Sequence, residues 1–281
     1  MPDGRSGAQG APHRALRSLL AAVLIALVAL GTLAAVAPEA RAATYKVVIV
    51  VGPVGSSTAN YRSDANLLAE QAASYGATVV KLYTPNATWS RVAAAADGAN
   101  ILIFLGHGNG WPSPYGPFAS SRMDGLGLNA ALDAGNTNTR YYGESYVERL
   151  HLAPNAVVIL NHLCYASGDS EWGTANPTRA TAIERADNYG YGFLHGGAKA
   201  VFASGITSAG YVLRGLFEGP ASMTMSELFW SDPSRTGTYQ LTFTGIRTPG
   251  TAAWLDPYSP SRYYRSVVGW LTTTVGDWRS G

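Results

Sequence analysis

Apolar residues in this chain fall in short unbroken runs, and the stretches between them show helical spacing. Residues 45–51, YKVVIVV, form the first such run after the N-terminal segment, and Gly52-Pro53 ends it. A brief, uniformly β-branched run predicts a strand buried on both faces. Residues 55–60 read as a polar loop, and Ser63 or Asp64 as the cap of a helix that continues to Tyr75 and stops at Gly76. Residues 77–82 form a second strand, Asn86 or Thr88 opens a helix closed by Gly98, and residues 101–105, ILIFL, form a third strand. Strands of this kind alternating with helices predict a parallel sheet covered on both faces. The expected fold is therefore α/β, a three-layer α/β/α sandwich with about six mostly parallel strands. Right-handed crossovers with one switch point give an order near 2-1-3-4.

The pattern dissolves over residues 106–155, which are rich in Gly, Asn, Pro and Tyr, apart from a short helical stretch at 144–150. A loop of that length inside a compact domain tends to be functional. Residues 156–163, AVVILNHL, restore the pattern as a fourth strand, with Cys164 at its end. A polar loop at 166–177 follows, then a helix over 178–194 weakened by Gly190 and Gly192, and a fifth strand at 198–203. Helices at 208–218 and 223–230, a sixth strand at 239–244 and a last helix at 264–271 complete the expectation for the aromatic-rich tail.

The N-terminus changes the picture of where the protein acts. Arg5, His13, Arg14 and Arg17 precede the uncharged apolar run 19–37, and Ala40-Arg41-Ala42 follows it. That order reads as a secretory signal cleaved after Ala42, leaving 43–281 as a single domain. An uncleaved anchor at 19–37 is the competing reading, because the run nearly spans a bilayer. Cleavage removes four Arg, one Asp and one Glu from totals of 20 basic and 18 acidic residues, so the remainder balances at zero. Nothing in that balance calls for nucleic acid or, after signal cleavage, for a membrane surface.

Candidate chemistry gathers at two strand ends. His107 stands in GHGNG, two residues past the third strand, and Cys164, the one cysteine, directly follows the fourth. Ligands and chemistry collect at the carboxyl ends of parallel strands. If the two strands are neighbours, imidazole and thiol emerge on one rim, where the imidazole can take the thiol proton. The backbone N–H groups of Gly108 and Cys164 then form a candidate oxyanion hole. Blander readings stand beside this one: a solvated turn histidine and a buried free cysteine. A dinucleotide loop is excluded because WPSPYGPF follows GHGNG and cannot start the required helix. His162, two residues before Cys164, is a second candidate base, with a hydrogen-bonded structural role favoured. A metal site of His107, His162 and Cys164 lacks a fourth ligand at a recognised spacing. His151 and His195 look like ordinary surface or helix residues.

A hydrophobic strand then His-Gly, and a hydrophobic strand then Cys 57 residues later, resembles the caspase-like cysteine peptidases. That group includes caspases, metacaspases, gingipains and the CHAT domains. The stretch FLHGGAKAVFASG, residues 193–205, is similar to the segment after the cysteine in CHAT-type members. The chain departs from caspases, which place Gln-Ala before the cysteine, and from metacaspases, which place Asp there; Leu163 occupies that position. The resemblance implies a secreted cysteine endopeptidase acting on protein or peptide substrates, with Cys164 as nucleophile, His107 as base and no cofactor or metal. It also implies that the loop after the first strand lines the pocket for the residue before the scissile bond. There Arg62 suits an acidic side chain and Asp64 a basic one, with Asp169 and Glu171 as further acidic candidates. A basic preference follows if Asp64 stands at a helix N-terminus, where the dipole keeps it ionised; alternatively Asp64 only caps the helix and Arg62 is solvated. The alternative function is a catalytically silent binding module using the aromatic loop of Trp111, Tyr115, Tyr141 and Tyr142.

Overall fold

In the computed structural model, residues 45–206 and 208–281 are described; the expected signal segment lies outside them. The strands are β1 (Lys46–Val51), β2 (Thr78–Tyr83), β3 (Ile101–Leu105), β4 (Leu126–Asn129), β5 (Thr139–Tyr142), β6 (Ala156–Asn161), β7 (Ala198–Ser204), β8 (Leu241–Thr244), β9 (Ala252–Leu255) and β10 (Arg265–Gly269). The helices are α1 (Thr58–Ser74), α2 (Trp89–Ala96), α3 (Glu144–Val147), α4 (Arg179–His195), α5 (Gly210–Glu218), α6 (Met225–Trp230) and α7 (Val275–Ser280).

Eight strands form the central sheet in the order β2-β1-β3-β6-β7-β10-β9-β8, and β4 pairs with β5 in a separate hairpin. From β2 to β7 every pairing is parallel. From β7 to β8 every pairing is antiparallel. The fold is thus the expected α/β sandwich, with the expected order through its first four strands, β2-β1-β3-β6.

Alternation along the strands divides the core in two. Val47, Ile49, Val51, Ile101, Ile103 and Ile159 join the apolar faces of α1, α5, α6 and α7. Val48, Val50, Leu102, Phe104, Val158 and Leu160 face α2, α4 and the β4-β5 hairpin. Both faces of β1, β3 and β6 are therefore sealed, which explains their lack of polar alternation. Gly190 and Gly192, the two residues that weakened the helical reading of α4, are points of close approach. A Cβ at Gly190 would lie 2.9 Å from a Val268 methyl, and one at Gly192 2.5 Å from a Val147 methyl. Packing outweighs the roughly 1 kcal/mol helix cost of each glycine.

Several local expectations are corrected. Helix α1 begins at Thr58 with Ser57 at its N-cap position, six residues before Asp64. The Thr58 hydroxyl accepts a hydrogen bond from the Val54 N–H at 3.2 Å, anchoring that early start. The helix expected at 264–271 is instead strand β10, buried at every position. Its Arg265 is neutralised by Asp232 at 2.9 Å and by Asp256. Strand β9 and the β4-β5 hairpin were not foreseen.

Candidate active site

Parallel pairing sets Leu105 of β3 opposite Asn161 of β6, so both strands release their chains at one rim of the sheet. His107 follows two residues later and Cys164 three. The two segments touch: a Cβ added to Gly108 would lie 2.4 Å from the Cys164 carbonyl oxygen and 2.5 Å from the Tyr189 hydroxyl. Glycine at 108 is therefore required by close approach, and it brings its backbone against that of the cysteine.

The segment bearing His107 is held by the β4-β5 hairpin and its approach. The Gly127 N–H donates to the His107 carbonyl at 3.0 Å, and the Asp124 N–H to that of Asn109 at 2.7 Å. The Trp111 N–H donates to the Asp124 carboxylate at 2.9 Å. The long stretch 106–155 is thus an ordered support for the histidine. His107 itself keeps access to solvent, with its ring partly covered.

Cys164 is half-buried, between two non-glycine residues with left-handed backbones, His162 (φ 60°) and Tyr165 (φ 69°). Each costs on the order of 1–3 kcal/mol, histidine less than tyrosine, and such strain concentrates at functional sites. Burial, then the nearby Glu171 carboxylate, pushes the Cys164 thiol up to about 11; the Trp172 N–H and the cysteine's own N–H pull the other way. Burial lowers the His107 pKa from its usual value, partly offset by Glu171. At neutral pH the thiol and the imidazole are both uncharged. Such a pair suits proton transfer to a general base during attack, rather than a resting ion pair.

His162 is engaged elsewhere. One ring nitrogen lies 3.3 Å from the Gly205 carbonyl and the other 3.6 Å from the Asp64 carboxylate, while Tyr61 packs against the ring at 5.1 Å. His151 and His195 lie elsewhere: His151 faces Asp97 at 3.9 Å, and His195 sits at the end of α4 bonded to the Tyr191 carbonyl.

One cavity opens at the thiol and a second adjoins the Gly108 segment. The first, of about 200 Å³, is lined by Cys164 together with Tyr61, His162, Asp169, Trp172, Arg262 and Tyr264. Its buried Asp169 is paired with Arg262 at 3.2 Å, and the Arg262 guanidinium lies 4.7 Å from the Tyr264 ring centre. From the segment after β1, which is already helix α1 here, Tyr61 lines this cavity, and Asp64 reaches it through His162. Arg62 is exposed, on the side of α1 that faces Tyr83. The second cavity, about 240 Å³, is lined by Gly108, Asn109, Tyr115, Tyr141, Tyr165 and Glu171.

Arg185, a buried residue of α4, joins the two loops and was missed in the sequence. Its Nε donates to the Pro112 carbonyl at 2.8 Å, and its Nη1 to the Ser170 hydroxyl at 2.9 Å. Its guanidinium stacks 4.6 Å from the Tyr165 ring centre. The available signal was its place on the apolar stripe of α4, between Ala182, Ala186 and Tyr189. Among the described residues, no group of three or more His, Cys, Asp or Glu side chains is arranged to hold a metal ion.

No family model matches the chain, and no curated protein matches it. Among solved structures, the crystal structure of protein GSU0716 from Geobacter sulfurreducens is similar over 68% of this chain and 90% of that one. Identity is 15% and the TM-score 0.33, a likeness too slight to carry an argument.

Proposed function

We propose that this protein is a secreted cysteine endopeptidase in which Cys164 attacks the scissile carbonyl and His107 serves as general base and then general acid. One observation carries the reading: a histidine and a cysteine leave adjacent parallel strands at one rim, and the glycine after the histidine touches the cysteine backbone. In the proposed cycle, the thiol proton passes to His107 as Sγ bonds to the carbonyl carbon. The Gly108 and Cys164 N–H groups stabilise the oxyanion, a contribution of about 3–4 kcal/mol in comparable sites. His107 then protonates the leaving amine, and water hydrolyses the thioester. Secretion belongs to the same reading, through cleavage after Ala42.

The silent binding module is the second reading, favoured by the burial and the nearby Glu171 carboxylate that push the thiol up to about 11. The two part in a direct test. Iodoacetamide labelling followed by intact mass counts accessible thiols, and hydrolysis of a mixed peptide library measures cleavage. The peptidase reading expects one label, and hydrolysis that disappears in Cys164→Ala. Hydrolysis that survives Cys164→Ala sinks it, as does a wild-type protein that labels readily and cleaves nothing.

A further inference from the structure

Resting on the peptidase reading, we propose that the cavity formed by Glu171, Tyr115, Tyr141 and Tyr165 is a substrate subsite for a cationic group, guanidinium or ammonium. The carboxylates near the thiol differ in their partners. Asp169 is paired with Arg262, and Asp64 faces His162. Glu171 belongs to none of the ion pairs among the described residues. Its Oε2 accepts hydrogen bonds from the Tyr115 hydroxyl at 2.6 Å and from the Tyr165 hydroxyl at 3.4 Å. These neutral donors fix the carboxylate in place and leave its charge uncompensated. The cavity it lines is large enough for a guanidinium and has aromatic walls, the combination that binds cations well. The same cavity includes Gly108, whose backbone abuts Cys164, and the Glu171 charge is felt at the thiol, so the cavity adjoins the proposed nucleophile.

This site lies on the polar loop after Cys164, and the stretch after β1 that holds Arg62 and Asp64 contributes nothing to its lining. It also couples binding to reactivity. Burial is the main obstacle to thiolate formation, with the Glu171 and Asp169 charges added to it; a cation on Glu171 offsets one of those charges, so a correctly charged substrate helps to ionise its own nucleophile.

The test uses the single cysteine as reporter and requires no peptide hydrolysis, so it can fail while the peptidase reading stands, and the reverse. Three methanethiosulfonate reagents are compared: methyl (neutral), trimethylammonioethyl (cationic) and sulfonatoethyl (anionic). Each leaves a disulfide on Cys164 and releases methanesulfinate. Rate constants from intact mass are measured in the wild type, Glu171→Gln and Arg62→Gln. The expected result is a cationic-to-neutral rate ratio that falls by about fivefold or more in Glu171→Gln and is unchanged in Arg62→Gln. In the wild type the ratio should also shrink with added salt, as an open charged site requires. Ratios replace absolute rates because removing Glu171 also eases ionisation of the thiol toward every reagent. Were Glu171→Gln to misfold, the wild-type salt series would decide alone. An equal ratio in wild type and Glu171→Gln, or a salt-independent wild-type ratio, overturns the proposal.

Discussion

Two histidines stand near Cys164, and they differ in what surrounds them. His162 is closer along the chain, yet both its ring nitrogens face acceptors, and its ring is packed against Tyr61. His107 is 57 residues away, just past the end of a separate strand, with its ring partly covered but open to solvent. A general base needs a free lone pair and a route to the thiol proton. Proximity in sequence therefore selects a positioning residue here, and proximity across the sheet selects the candidate base. The same contrast holds for glycines: those of α4 make room for packing, while Gly108 makes room for the cysteine backbone.

The sharpest way to break this comparison is to remove each histidine. His107→Ala should lower the hydrolysis rate by about 10³-fold, within the range for a general base, with little change in melting temperature. His162→Ala should keep activity within about tenfold and lose stability instead, because it empties a packed site. Kinetics and thermal melts on both variants read this out. The reverse pattern would make His162 the base and His107 a surface residue.

A smaller effect is expected at the contact between the two strand ends. In Gly108→Ala the new methyl meets the Cys164 carbonyl and the Tyr189 hydroxyl. A displacement of about 1 Å at such a point costs roughly 10²-fold in rate. The loss should appear in kcat more than in KM, since the N–H that moves acts on the developing oxyanion. Unchanged kcat in a folded Gly108→Ala protein would remove Gly108 from the proposed oxyanion hole.

The mildest expectation concerns pH. His107 must be neutral to accept a proton, and partial burial of its ring holds its pKa below the usual 6.5. Activity should thus be retained as pH falls to that value and be lost only below it, about tenfold per unit. Glu171 raises the His107 pKa, so Glu171→Gln should move the acid limb to lower pH still. Alkylation of the free enzyme should keep climbing past pH 9.0, the usual thiol value, because the thiol is pushed up to about 11. A plateau in alkylation near neutrality would indicate a resting thiolate–imidazolium pair and end the distinction between a protonated resting thiol and a preformed ion pair.

The amino-acid sequence by itself determined the parallel half of the molecule. Runs such as ILIFL and AVVILN are apolar at every position, and that character survives only in strands covered on both faces, so type, order and rim could all be read. His107 and Cys164 were legible for the same reason, as polar residues placed where such runs end. Local patterning could not decide what depends on distant partners. Arg265 and Ser266 begin β10 with polar character, and only Asp232 and Asp256, brought in from other segments, make that strand buriable. Asp64 looked like a helix cap because Ser and Asp favour caps, but the Val54–Thr58 bond starts the helix a turn and a half earlier. Arg185 and Glu171 gained their places through the folding of loops onto α4. A buried charge or an unpaired carboxylate is a property of everything around it, and the surroundings exist only once the chain has closed on itself.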